Sequence, residues 1–222
     1  MSLVFSTLAL MRTTVPLALA FICTLFCTVA LTQQPLKGKF TDARDGKIYN
    51  IVKIGEQIWM AENLNYKISG SKCYNDSIAY CDKYGRLYRW ETAVKVCPKG
   101  WHLPSETEWD ILYSYADSTS GKKNHYKSKI AEKYLKATSG WNDYEGKSGN
   151  GEDKFAFSAL PGGKGYPRGN FNTAGIRGHW WSSSENDSDF AYFRYMYYYY
   201  YEHVLWNISG KDFFFSVRCI QD

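Results

Sequence analysis

Six cysteines, four histidines and nineteen tyrosines are the residues of this 222-residue chain whose types suit chemistry or close contact. Cys23 and Cys27 sit in an apolar N-terminal run, which leaves Cys73, Cys81, Cys97 and Cys219 for the remainder. Zinc wants ligands paired closely in sequence, and there is no CxxC pair and no histidine at ligand spacing. In an exported domain an even cysteine count reads as two disulfides, and four cysteines allow three pairings. One of the three closes a short loop with Cys73–Cys81 and a loop of more than a hundred residues with Cys97–Cys219. A crosslink of that second length is worth on the order of 4 kcal/mol in the chain-entropy model.

His102, Ser105 and nearby acids invite a hydrolase triad. Ser105, however, heads a Ser-x-x-Glu capping box with Glu108, and a hydroxyl bonded to a helix NH is a poor nucleophile. No GxSxG elbow occurs elsewhere. Asp143, Glu145, Asn150, Glu152 and Asp153 are hard oxygen donors for calcium, with Asp143, Glu145 and Asp153 the weak candidates. Their loose spacing suits a solvated acidic loop better. Two aromatic sets remain. Tyr195, Tyr197 and Tyr199 alternate with Met196, Tyr198 and Tyr200, so both faces of one strand carry rings. Such rings can stack on sugar or grip a protein, or they can pack across strands with no ligand at all. Tyr166, Arg168, Asn170, Phe171 and Asn172 combine aromatic and polar groups in a Gly-rich stretch, as polysaccharide or protein contact would need.

These residues must be held by short elements. Trp90, Ala93, Val94 and Cys97 recur at helical spacing, and Pro98, Lys99 and Gly100 stop that helix. The capping box then opens a second helix whose buried face continues through Trp109, Leu112, Tyr113 and Ala116. Before them, Phe40–Ala61 reads as strands and turns around Asp45-Gly46 and Gly55-Glu56. Asn63–Asp82 reads as a loop, and Tyr84–Tyr88 as a brief extended segment. A helical turn lies within AEKYLKATSGW, and Trp141–Gly178 is a long stretch of little regular structure. A short strand at His179–Ser183 follows. Phe190–Tyr201, Val204–Asn207 and Phe213–Ile220 close the chain as an antiparallel meander.

Aromatic residues make up 18% of the chain, which favours sheets and structured loops over a helical bundle. The net charge of +5 is spread without a basic stripe, so nucleic acid is not an expected partner. Arg12 precedes a charge-free run from Val15 to Leu31, the pattern of a secretory signal, with an uncleaved anchor as the rival. A start at Met11 would give that segment a more typical length. Residues 1–31 are thus expected to be a signal peptide or anchor, 32–39 a linker and 40–222 one domain.

Six strings, in order, carry a resemblance to a known family. DGKIYNIVKIGEQIWMAENLNY, CPKGWHLPSETEW, LKATSGW, FSALPGG, WWSSSE and FSVRC resemble the FISUMP domain, the major paralogous domain of Fibrobacter and related fibre-degrading bacteria. Phe214 stands where that family commonly has Gly. The likeness runs from Phe40 to Asp222. It implies an α+β, C-type lectin-like fold: two short helices on small antiparallel sheets, with a long Gly-rich loop. It also implies export and the Cys97–Cys219 pairing, taken here with Cys73–Cys81. No established activity comes with it. Trp141-Asn142-Asp143 spells a lectin calcium tripeptide, but it precedes the long loop, and no EPN or QPD occurs. Leu103–Trp109 looks like a segment of formylglycine-generating enzymes, which share the fold and need reactive thiols. Sequons at Asn75, Asn186 and Asn207 carry no meaning in a bacterial chain.

The expectation is therefore a secreted or cell-surface module that binds and does not catalyse, with no cofactor. Its partner is a polysaccharide or an envelope protein, and it meets the membrane only through an uncleaved N-terminal segment. A formylglycine-type oxidoreductase and a structural assembly protein are the alternatives.

Overall fold

The computed structural model describes residues 36–119, 129–199 and 206–222; residues 1–31, read above as a signal peptide or anchor, lie outside them. Strand β1 (Lys37–Thr41) pairs antiparallel with β2 (Ile48–Ile54), and β2 with β3 (Gln57–Met60). Strand β1 begins within the stretch 32–39 read as a linker. KGKFT is mostly exposed and polar, so no alternation marked it as a strand. Gly55-Glu56 makes a two-residue turn between Ile54 and Gln57, with Gly55 at φ +60°. Asp45-Gly46 differs from the expected type I′ turn, because only Gly46 takes positive φ. It belongs to a longer connection folded around Asp42, whose buried carboxylate accepts from the Arg44 backbone and side chain.

The segment from Asn63 to Asp82 is more ordered than a loop. It carries β4 (Ser71–Lys72), a single helical turn at Tyr74–Asp76 and the start of α1 (Ile78–Tyr84), followed by β5 (Leu87–Tyr88). The Cys73–Cys81 disulfide spans that turn, with 5.0 Å between α-carbons. Helix α2 (Trp90–Val96) buries Trp90, Ala93 and Val96, while Val94 is half-buried. Val96, three residues after Ala93, joins the inward face, and Val94 packs against the same core from its edge. Pro98 keeps its predecessor Cys97 extended, at φ −63° and ψ 143°. The Cys97–Cys219 bond then joins that end to the C-terminal segment, α-carbons 5.9 Å apart.

After β6 (Trp101–His102), helix α3 (Glu106–Ser118) has both halves of its capping box in place. It buries Trp109, Leu112, Tyr113 and Ala116 as its spacing requires. Helix α4 (Lys129–Leu135) packs beside it. The stretch read as irregular holds a hairpin, β7 (Gly162–Gly165) and β8 (Phe171–Ala174). Then come β9 (Arg177–Glu185), β10 (Phe190–Tyr197), β11 (Trp206–Gly210), β12 (Phe215–Ser216) and β13 (Ile220–Gln221).

The last strands do not form a simple meander. β12 crosses over to lie between β9, parallel, and β5, antiparallel, giving the order β11-β10-β9-β12-β5-β4. β13 leaves for the first sheet, ordered β1-β2-β3-β13-β6. The fold is mixed α+β. Trp180 and Met196 face one core with Trp59, Trp109 and Phe157; Trp181 and Phe193 face another with Tyr88, Trp90 and Phe215. Both faces of β9 and β10 are thus covered, which accounts for rings on alternate and adjacent positions alike. Each such aromatic removes about 150–250 Å² from water, worth about 4–6 kcal/mol before ordering entropy is subtracted.

Gly85 ends α1 at φ 77° and ψ −175°, a region only glycine occupies freely. A Cβ there would meet the Asn63 Cβ and carbonyl at 2.8 Å and the Leu64 carbonyl at 2.9 Å. Gly85→Ala should therefore lower stability by about 2 kcal/mol or more in urea unfolding; a change within experimental error would show that the α1–Asn63 approach is loose.

Candidate functional site

Arg218 is fully buried, and no carboxylate among the described residues bonds it. Its guanidinium donates to Asn63 Oδ1 (2.8 and 3.2 Å) and to the carbonyls of Phe157 and Ser158. Asn63 Oδ1 also accepts from Trp180 Nε1 (2.8 Å), and its amide donates to the Tyr84 carbonyl (2.8 Å). This knot draws five segments together and leaves a cleft of about 670 Å³ beside it. One wall is β2, through Tyr49 and Ile51, with Lys47 just before it. The floor is Ala61–Asn65, and the far wall combines the end of α1 with residues 137–139 and 153–160. Sequence reasoning missed this cleft. Its signal was present: polar Glu62, Asn63 and Asn65 interrupt an apolar string, as Thr138 and Ser139 do after Leu135.

The loop set foreseen from sequence is brought together. Tyr166, Arg168 and Asn170 line a hollow of about 400 Å³ with Pro167 and Asp212, and Asn170 and Phe171 line a second of about 460 Å³ with Asn75 and Asp76. Backbone bonds from Tyr166 N to Asn170 O and Gly169 N to Tyr166 O fold the turn between β7 and β8. Asn172 Nδ2 fixes the Tyr166 hydroxyl at 2.9 Å, and the Tyr166 ring lies between Lys164 and Phe213. At the hairpin root His179 donates from Nδ1 to the Gly163 carbonyl. Burial, with Lys164 and Arg177 adding to it, pulls the pKa of His179 down to about 3, so the ring is neutral.

The tyrosine set lies apart from that loop. Tyr195 is half-buried near His179. Tyr199 stacks on Tyr144 at 4.1 Å, Tyr197 packs on Tyr198 and Tyr199, and Arg177 covers the Tyr197 ring at 4.5 Å. Lys136 Nζ holds the Tyr197 and Tyr198 carbonyls. These rings spend much of their surface on one another.

A model of the Fibrobacter succinogenes major domain matches residues 52–221. The chain belongs to that family. No curated protein and no solved structure matches it. Three strings that carry the major-domain resemblance meet at the cleft: WMAENLNY supplies its floor, and LKATSGW and FSALPGG supply its far wall.

In this major-domain chain the acidic residues do not converge. Asp153 caps Ser158, accepting from its N and Oγ; Glu152 pairs with Lys133; Asn150 Oδ1 accepts from Trp141 N. Asp143 and Glu145 are exposed. Among the described residues no three His, Cys, Asp or Glu side chains gather to hold a metal. All four described cysteines are disulfide-bonded. Ser105 accepts from the Glu108 backbone and donates to its carboxylate. His102 bridges Glu108 and Asp222, 2.7 Å on each side, so a carboxylate stands between His102 and Ser105.

Burial lowers the pKa of His102, but its hydrogen bonds to Asp222 and Glu108 outweigh this and raise it above the ordinary 6.5. The stabilisation is complete below 6.5 and is lost as pH rises through the raised value. His102→Gln should therefore cost more stability at about pH 5 than at about pH 8 in urea unfolding. An equal cost at both would mean that the bridge carries no charge.

Proposed function

We propose that this chain is an exported, non-catalytic recognition module of C-type lectin-like architecture that binds polysaccharide through the β7–β8 face. The observation that carries the reading is the pair of hollows sharing Asn170, where a linear ligand could pass from Arg168 across Asn170 to Phe171. Amide, guanidinium and ring groups side by side suit the hydroxyl edges and apolar faces of sugars. The lectin-like architecture is supported by two short helices on curled sheets, a closing bridge between Cys97 and Cys219, and a Gly-rich segment that projects the hairpin.

Export is supported by the charge-free run at Val15–Leu31 and by two disulfides, which suit an oxidising compartment. No helix among the described residues is long and apolar enough to cross a membrane. A binding role is supported by the bonded state of all four described cysteines, which offers nothing to the thiol chemistry of formylglycine-generating enzymes.

A second reading, assembly with an envelope protein or another copy, has its own support. β11 is a sheet edge, and Phe190, Trp206 and Ile208 on the β10–β11 pair are 43%, 45% and 41% exposed. An uncharged edge strand with exposed apolar side chains is a template for pairing.

Retention on insoluble plant polysaccharides separates these. Arg168→Ala/Asn170→Ala should weaken retention by about tenfold or more without loss of folding. No retention of the wild type, together with concentration-dependent size in chromatography, would favour assembly.

A further inference from the structure

We infer that the cleft between β2, the Ala61–Asn65 floor and the Thr138–Ser139 wall is a second binding site, for a neutral di- or trisaccharide. The inference does not depend on the hairpin reading, because the two sites share no lining residue.

Its size comes first. About 670 Å³ falls within the range of about 300–1,000 Å³ typical of small-ligand sites. Its lining runs along β2 and the residue before it, from Lys47 through Tyr49 and Asn50 to Ile51, a span of about 13 Å at the rise of a strand. That suits a short linear ligand better than a compact one.

Its unspent polar groups come next. The Thr138 and Ser139 hydroxyls, the Asp82 carboxylate, Glu62 Oε2 and Asn65 Oδ1 carry no hydrogen bond to the described residues. Their neighbours on the same groups are fixed: Glu62 Oε1 holds the Asn50 side chain, and Asn65 Nδ2 holds the Cys81 carbonyl. The open oxygens of Glu62 and Asn65 are therefore aimed, while the Thr138, Ser139 and Asp82 groups stand exposed and can turn to meet a ligand. Sugar hydroxyls donate and accept at once, so they need carboxylate and amide oxygens beside hydroxyl donors, which is the set present here. Ile51 on one wall and Ala156 and Leu160 on the other, each half-buried, add apolar surface for the C–H faces of a ring.

Charge argues against other ligands. Lys37, Lys47 and Lys83 line the cleft together with Glu62, Asp82 and Asp153, so neither sign prevails. An anionic sugar or a phosphate would meet carboxylates, and a cation would meet ammonium groups. A neutral, polyhydroxylated ligand meets partners only. Rigidity favours it further, since Asn63 in the floor is locked to Arg218, Trp180 and Tyr84 and little ordering cost remains on binding.

The test is an amide-resolved NMR titration of the full disulfide-bonded chain with cellobiose, xylobiose, mannobiose and, as a charged control, digalacturonate. At least one neutral disaccharide should shift the Ala61–Asn65 and Ala137–Ser139 signals saturably. Thr138→Val/Ser139→Ala should weaken that binding by about tenfold, and Asp82→Asn should weaken it as well. All three substituted side chains are exposed and make no hydrogen bond to the described residues, so the fold should be unaffected. Shifts confined to Tyr166–Asn172 would overturn the cleft while leaving the hairpin reading standing. Equal or tighter binding of digalacturonate would overturn the neutral-ligand assignment, and no shift with any of the four would overturn the site.

Discussion

A guanidinium taken out of water must find an acceptor for its donors, and Arg218 finds them on segments far from it in sequence. Asn63 lies 155 residues away, and Phe157 and Ser158 about 60. Burial lowers the Arg218 pKa to about 9, against the opposing pull of Asp153 and Glu62, so the charge persists at neutral pH. A buried charge without a carboxylate is costly unless neutral dipoles surround it. Asn63, two carbonyls and the face of the Phe157 ring at 4.3 Å supply that environment. Satisfying one cation thereby fixes where the first sheet, the end of α1, the 153–160 segment and β12 can lie. The cleft is the space left outside that agreement.

The two cores follow from the same crossing. Once β12 lies between β9 and β5, β9 is an interior strand covered on both faces, and Trp180 and Trp181 divide between the clusters. The Cys97–Cys219 bond holds the end of α2 beside the strand pair that β13 makes with β3 and β6. Covalent closure and polar closure thus act within two residues of each other, at Arg218 and Cys219.

Local signals were legible in the sequence and distant ones were not. The Ser105–Glu108 capping box, the Gly55 turn and the apolar face of α3 are set within a few residues, and they stand as the spacing requires. The disulfide partners needed the family resemblance, because four cysteines alone leave three choices. β7 and β8 escaped notice because GGKG and FNTA have little strand propensity, and their pairing rests on tertiary context. The parallel insertion of β12 leaves no local trace. Of the candidate contact residues, those from Tyr166 to Asn172 lie on one turn and were found together. The cleft was missed because its concavity is made by segments that only the fold brings near.

The account turns on Asn63 as the group that makes burial of Arg218 tolerable. The most direct measurement is the urea unfolding free energy of Asn63→Ala beside Asn65→Ala, a half-exposed neighbour. Removing the Asn63 amide takes an acceptor from Arg218 Nε and Nη2 and the partner from the Trp180 indole NH and the Tyr84 carbonyl at once, so a loss of about 3–5 kcal/mol is expected, several times that of Asn65→Ala. A loss below about 1 kcal/mol, or one no larger than at Asn65, would contradict it.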